Sequence, residues 1–118
     1  MRPFLAALLF LIPLAASAEQ CPVIENSLLG AWERKSNSGF FEEMSFEIEG
    51  KQKIFNSWLD KRPEISGGTW KFANCTIFVA HPTEKNLSVE FVVLKASKNR
   101  IHVREIGEKD ISVYQLIK

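Results

Sequence analysis

Phe40-Phe41-Glu42-Glu43-Met44-Ser45-Phe46-Glu47-Ile48-Glu49 is the stretch that decides how this chain folds. Phe40, Met44, Phe46 and Ile48 share one parity. Phe41, Glu43, Ser45, Glu47 and Glu49 share the other, and only Glu42 interrupts the pattern. Successive side chains of an extended strand point to opposite faces. Period two with one charged face therefore predicts an antiparallel strand, packed on one side and wet on the other. Gly50-Lys51 ends it.

The same alternation recurs on both sides. Upstream, Leu28-Leu29-Gly30-Ala31-Trp32 opens a first strand, and Lys35-Ser36-Asn37-Ser38-Gly39 reads as a turn. Downstream, Lys53–Leu59 reads either as a helix face (Ile54, Phe55, Trp58, Leu59) or as a strand. Its shortness and its strand neighbours favour the strand. Lys61-Arg62-Pro63-Glu64 reads as a turn, because Pro63 pre-sets its backbone and cannot donate to a ladder. Ile65–Phe72 carries the pair Gly67-Gly68, the mark of a bend or bulge inside a strand. After a tight connection at Ala73-Asn74, Cys75, Ile77, Val79 and His81 share a parity. Turns at Pro82–Asn86, Ser97–Asn99 and Gly107–Asp110 separate three more alternating runs: Leu87–Val93, Ile101–Glu105 and Ile111–Ile117. About eight short strands at this spacing predict an all-β domain. Short connections make sequential strands pair, and closure removes the sticky edges. The expected architecture is an antiparallel up-and-down barrel, with a flattened β-sandwich of the same strands as the alternative. Trp32, Phe46, Trp70 and Phe91 are candidates to fill it.

The N-terminus fixes the expected compartment. Arg2 precedes an apolar run from Phe4 to Ala16 that closes on Ala16-Ser17-Ala18. A positive tip, a short apolar middle and a small-x-small end read as a signal peptide cut after Ala18. The run is shorter than the roughly 20 residues a spanning helix needs, so no stable membrane anchor is expected after cleavage. The expected domain organisation is a signal peptide over 1–18, an N-terminal segment over 19–27 tethered by Cys21, and the barrel over 28–118. A secreted or periplasmic location lets Cys21 and Cys75 pair. A bridge across 54 residues is expected to act as a structural staple, worth about 4 kcal/mol in the chain-entropy account.

Charge and motifs narrow the function classes. The chain has 15 Lys and Arg against 14 Asp and Glu. Arg2 is the only charge in the leader, so the remainder is balanced, which argues against a nucleic-acid partner and against a polybasic membrane segment. There is no G-x-S-x-G nucleophile elbow, no H-E-x-x-H helix and no glycine-rich phosphate loop. Cys21, Cys75, His81 and His102 have no zinc-ligand spacing. Neither catalytic activity nor a cofactor or metal is expected.

Gly30-Ala31-Trp32 at the start of the first strand, then Gly68-Thr69-Trp70, Cys75-Thr76-Ile77 and a terminal strand with Tyr114, resemble the lipocalins and especially the shorter bacterial lipocalin-like domains. The resemblance covers Leu28 to Lys118. It implies that Trp32, with Gly30, packs across one end of the barrel, that Trp70 plays a similar structural part, and that a basic residue from a late strand, Arg104 or Arg100, covers the indole. The chain is much shorter than a full lipocalin and lacks a T-D-Y signature. The function expected from the resemblance and the absence of catalytic motifs is non-catalytic binding, of a small apolar ligand inside the barrel. The alternative is a protein-binding module, an envelope accessory or enzyme inhibitor that meets its partner through rim loops. Trp58, Arg62 and Pro63 are the candidate loop, because aromatics and Arg are enriched at binding hot spots.

Overall fold

The computed structural model describes residues 21–39 and 41–117. The leader, its cleavage point and Phe40 lie outside the described residues. Eight strands follow in order: β1 (Gly30–Arg34), β2 (Glu43–Glu49), β3 (Gln52–Leu59), β4 (Arg62–Ala73), β5 (Thr76–Ala80), β6 (Val89–Ser97), β7 (Arg100–Glu105) and β8 (Ser112–Ile117). Each pairs antiparallel with the next. β8 returns to β1, with Ala31 opposite Ile117 and Arg34 opposite Tyr114. The sheet is a closed up-and-down barrel, so the barrel and not the flattened sandwich is the architecture. Lys53–Leu59 is strand throughout.

Alternation sorts side chains into an oily interior and a wet exterior. Five inward rings form one continuous chain. Trp70 meets Phe46 at 5.2 Å between centroids, Phe46 meets Phe55 at 5.2 Å, Phe55 meets Phe41 at 5.5 Å, and Phe41 meets Phe91 at 6.0 Å. These rings come from β4, β2, β3, the β1–β2 connection and β6, so they span the barrel from wall to wall. Tilted and edge-on pairs of this kind add about 0.5–1.5 kcal/mol each beyond the area they bury. Met44, Ile65, Ile77, Val103 and Tyr114 fill the space around them and are buried.

Several local expectations are corrected. Phe41 is fully buried and does not share the wet face of β2; it precedes that strand, and the β1–β2 connection turns its ring inward. Ile48 is 44% exposed, because the last residues of β2 run past the packed interior. The β3–β4 turn is Asp60-Lys61, both at positive φ, so Arg62 and Pro63 already belong to β4, with Pro63 opposite Trp58. Pro63 is tolerated there because the β4–β5 pairing begins only at Thr69, leaving the start of β4 paired on one side. Likewise the β4–β5 turn is Asn74-Cys75, both at positive φ, so Cys75 sits at the hairpin tip and not in the strand. Two short 3-10 helices, Glu25–Leu28 and Lys85–Leu87, interrupt the connections.

The two G-x-W glycines serve different needs. Gly30 has φ +123°, a conformation L side chains avoid. Gly68 is required for space: a Cβ there would lie 2.5 Å from the Ala80 carbonyl oxygen and 2.7 Å from Ile65 Cγ2. Gly67 beside it, at φ +72°, donates its N–H to Asn56 Oδ1 (2.8 Å) where the β3–β4 register shifts.

Candidate functional site

Up-and-down topology sends alternate connections to opposite ends. The N-terminal segment and the β2–β3, β4–β5 and β6–β7 turns gather at one end. The β1–β2, β3–β4, β5–β6 and β7–β8 connections gather at the other.

The first end is covered. The Cys21–Cys75 disulfide, Cα atoms 5.5 Å apart, pins the N-terminal segment to the β4–β5 tip. The 3-10 turn then lays Leu28, fully buried, onto the interior, and the Leu28 carbonyl accepts the Trp32 indole N–H at 2.9 Å. A burying Trp needs a partner for that donor, and this one finds it four residues back. A depression of about 410 Å³ remains between Val23, Trp32, Leu116 and the β6–β7 turn. Gly30 and Trp32 both lie at this end.

The second end is open and polar. Arg34 occupies an inward position one turn of alternation beyond Trp32, and its Nη1 donates to the Gly39 carbonyl at 2.8 Å. Tyr114 donates its hydroxyl to the Phe41 carbonyl at 2.7 Å. Burial pushes the Tyr114 phenol up to about 12, with Glu105 adding to the rise and the Phe41 bond and Arg34 opposing it. Above these groups lies a depression of about 350 Å³, walled by Ser38, Gly39, Glu105, Glu108, Asp110 and Ser112 and reaching Phe91. Burial, then the neighbouring Glu108 carboxylate, raises the Glu105 carboxyl above the ordinary carboxylate range. Ile106 and Ile111 flank this acidic tip and are 56% and 47% exposed. No group of three His, Cys, Asp or Glu among the described residues is placed to hold a metal ion.

The predicted loop residues join the same rim. Trp58 is half-buried on the outer face opposite Pro63, and Arg62 and Pro63 are exposed. The hairpin tip is tied to the β1–β2 connection: Glu42 Oε1 accepts from the Asp60 N–H (2.7 Å), and the Glu42 N–H donates to the Trp58 carbonyl (2.9 Å). Trp70 is buried, donates its indole N–H to the Glu47 carbonyl (3.1 Å) and carries the Lys53 ammonium 5.4 Å from its ring centroid. Arg104, half-buried opposite Val92, and Arg100, bonded to Gln115 Oε1 at 2.7 Å, lie on the outward parity of β7. They are on the other face of the sheet from Trp32, whose indole is engaged by the N-terminal segment instead.

Sequence reasoning missed Arg34, Glu105, Glu108, Asp110, Ile106 and Ile111 as members of one rim. One signal was available. Ile101, Val103 and Glu105 share a parity, which puts a carboxylate at an inward position. No protein-family model matches the chain, and neither a curated protein nor a solved structure matches it.

Proposed function

We propose that this chain is an extracytoplasmic, non-catalytic, lipocalin-like binding protein that meets a protein partner through its open rim. The observation that carries this reading is the unbroken chain of rings from Trp70 to Phe91. An apolar ligand inside the barrel would have to displace those side chains, at a cost of about 1–3 kcal/mol or more for each disturbed packing site. The depressions lie instead at the ends and on the outer surface. The rim joins exposed aliphatics (Ile106, Ile111), a half-buried aromatic (Trp58), an arginine (Arg62) and a carboxylate pair (Glu105, Glu108) that a cationic side chain of a partner would relieve. That combination is typical of binding hot spots and their polar surrounds. The disulfide and the leader-like N-terminus support a secreted or periplasmic setting.

Site-specific photo-crosslinking in the native compartment tests it. A photoreactive residue at position 106 or 111 is expected to trap one discrete partner, lost with Glu105→Gln/Glu108→Gln. The same residue at Gln115, on the barrel wall, is expected to trap none. No adduct from the rim, or the same adduct from both places, overturns the proposal. So does a lipophile that quenches tryptophan fluorescence at stoichiometric concentration, which returns the interior as the site.

A further inference from the structure

We infer that the covered end of the barrel docks on an anionic lipid surface. The chain is balanced in charge overall, yet this end carries Lys51 on the β2–β3 turn and, on the opposite side of the barrel mouth, Lys95, Lys98 and Arg100 on the β6–β7 hairpin, all exposed. Its acids are few. Glu25 is paired with Lys53 at 2.7 Å, and the others are Glu47 and Glu49 on the last residues of β2, both exposed. The outward positions of the neighbouring β8 are Val113, Gln115 and Ile117, and the nearest outward carboxylate on β6, Glu90, lies toward the other end. A register shift between Val93 and Lys95 leaves Leu94 unpaired and 39% exposed beside these cations. A bulge of this kind re-aims a side chain that regular pairing would place elsewhere. Ile24, 69% exposed on the disulfide-pinned segment, stands at the same end.

Exposed aliphatic side chains and cations at the same end of a barrel suit a bilayer interface, where the apolar groups enter the headgroup region and the cations meet anionic lipid. Nucleic acid is a poorer fit, because the hairpin offers no aromatic on which bases could stack. This inference is independent of the open-rim reading. Together they orient the molecule with its partner-binding rim facing away from the membrane.

The test is sedimentation of the exported, disulfide-bonded protein with vesicles of phosphatidylcholine, alone or with about 30% phosphatidylglycerol, the anionic component supplying the attraction. Binding is expected only to the mixed vesicles and is expected to vanish near 0.5 M salt, where screening shortens to a few ångströms. Removing one lysine is expected to weaken binding about fivefold, and Lys51→Gln/Lys95→Gln/Lys98→Gln about a hundredfold. Leu94→Ser is expected to weaken it by the same factor at each lower salt concentration where the native protein binds. The control Lys61→Gln/Lys85→Gln/Lys109→Gln removes the same charge from the open end and is expected to bind like the native protein. These positions are exposed, so an unchanged circular dichroism spectrum confirms folding of each variant. Equal binding to both vesicle types, no binding to either, or equal losses from the two triple variants overturns the inference. So does displacement by an equivalent charge of single-stranded DNA, or retention of the protein through self-association without vesicles.

Discussion

Replacing Gly68 by alanine tests whether the barrel owes its closure at β4 to one missing carbon. The added Cβ would sit 2.5 Å from the Ala80 carbonyl oxygen and 2.7 Å from Ile65 Cγ2, where ordinary contact begins at 3.4 Å. Neither neighbour can step aside cheaply. Ala80 is held in the β4–β5 ladder opposite Thr69, and Ile65 is fully buried in the core. The strands must part by most of an ångström, which places the cost at the upper end of the overpacking range, about 3 kcal/mol. Gly50→Ala is the matched control. Nothing lies within 4 Å of its Cβ, and only its φ of +64° resists, for about 1 kcal/mol. Urea unfolding followed by tryptophan fluorescence reads the difference. With a slope of about 1.5 kcal/mol/M, the midpoint is expected to fall by about 2 M for Gly68→Ala and by less than about 1 M for Gly50→Ala. Equal shifts, or a loss below about 1 kcal/mol at Gly68, would refute the steric argument.

Tyr114 is the chain's single tyrosine, so phenolate absorbance reports it without overlap. Its phenol is raised from about 10 to about 12 in the fold, so stability is intact below pH 10 and declines as pH rises toward 12, by about 2–3 kcal/mol in all. Titration at the ordinary tyrosine value in the folded protein would contradict the burial of that hydroxyl. Tyr114→Phe is expected to remove this alkaline loss while costing about 1 kcal/mol at neutral pH. Ser57 is fully buried and its hydroxyl has no partner among the described residues, so Ser57→Ala is expected to raise stability by about 1 kcal/mol in thermal unfolding. A lower melting point would show that the hydroxyl has a partner in solution.

The strands were legible because alternation is a direct readout of a sheet with one oily side. Phe46, Ile77, Val79, Phe91 and Val103 fall where their parity puts them. The turns were less legible. Asp60-Lys61 and Asn74-Cys75 adopt left-handed backbone without a glycine, so the usual punctuation misplaced both by a residue or two. Phe41 escaped the pattern because a connecting segment, free of the pleat, turns its ring inward to meet Phe55 and Phe91. The rim was the least legible part. Trp58, Glu105 and Ile111 are far apart in the chain, and only the alternation of barrel ends brings their connections together. The cationic end was hidden for a related reason: a balanced total says nothing of where its charges lie.

The pairing of β1 with β8 has a consequence for biosynthesis. The two members of that seam are the first and last of the eight strands to be made, and the residues that fasten it are Ser112–Ile117. A ring cannot be fastened while one of its ends is still missing, so a nascent barrel is unable to close before β8 has been made.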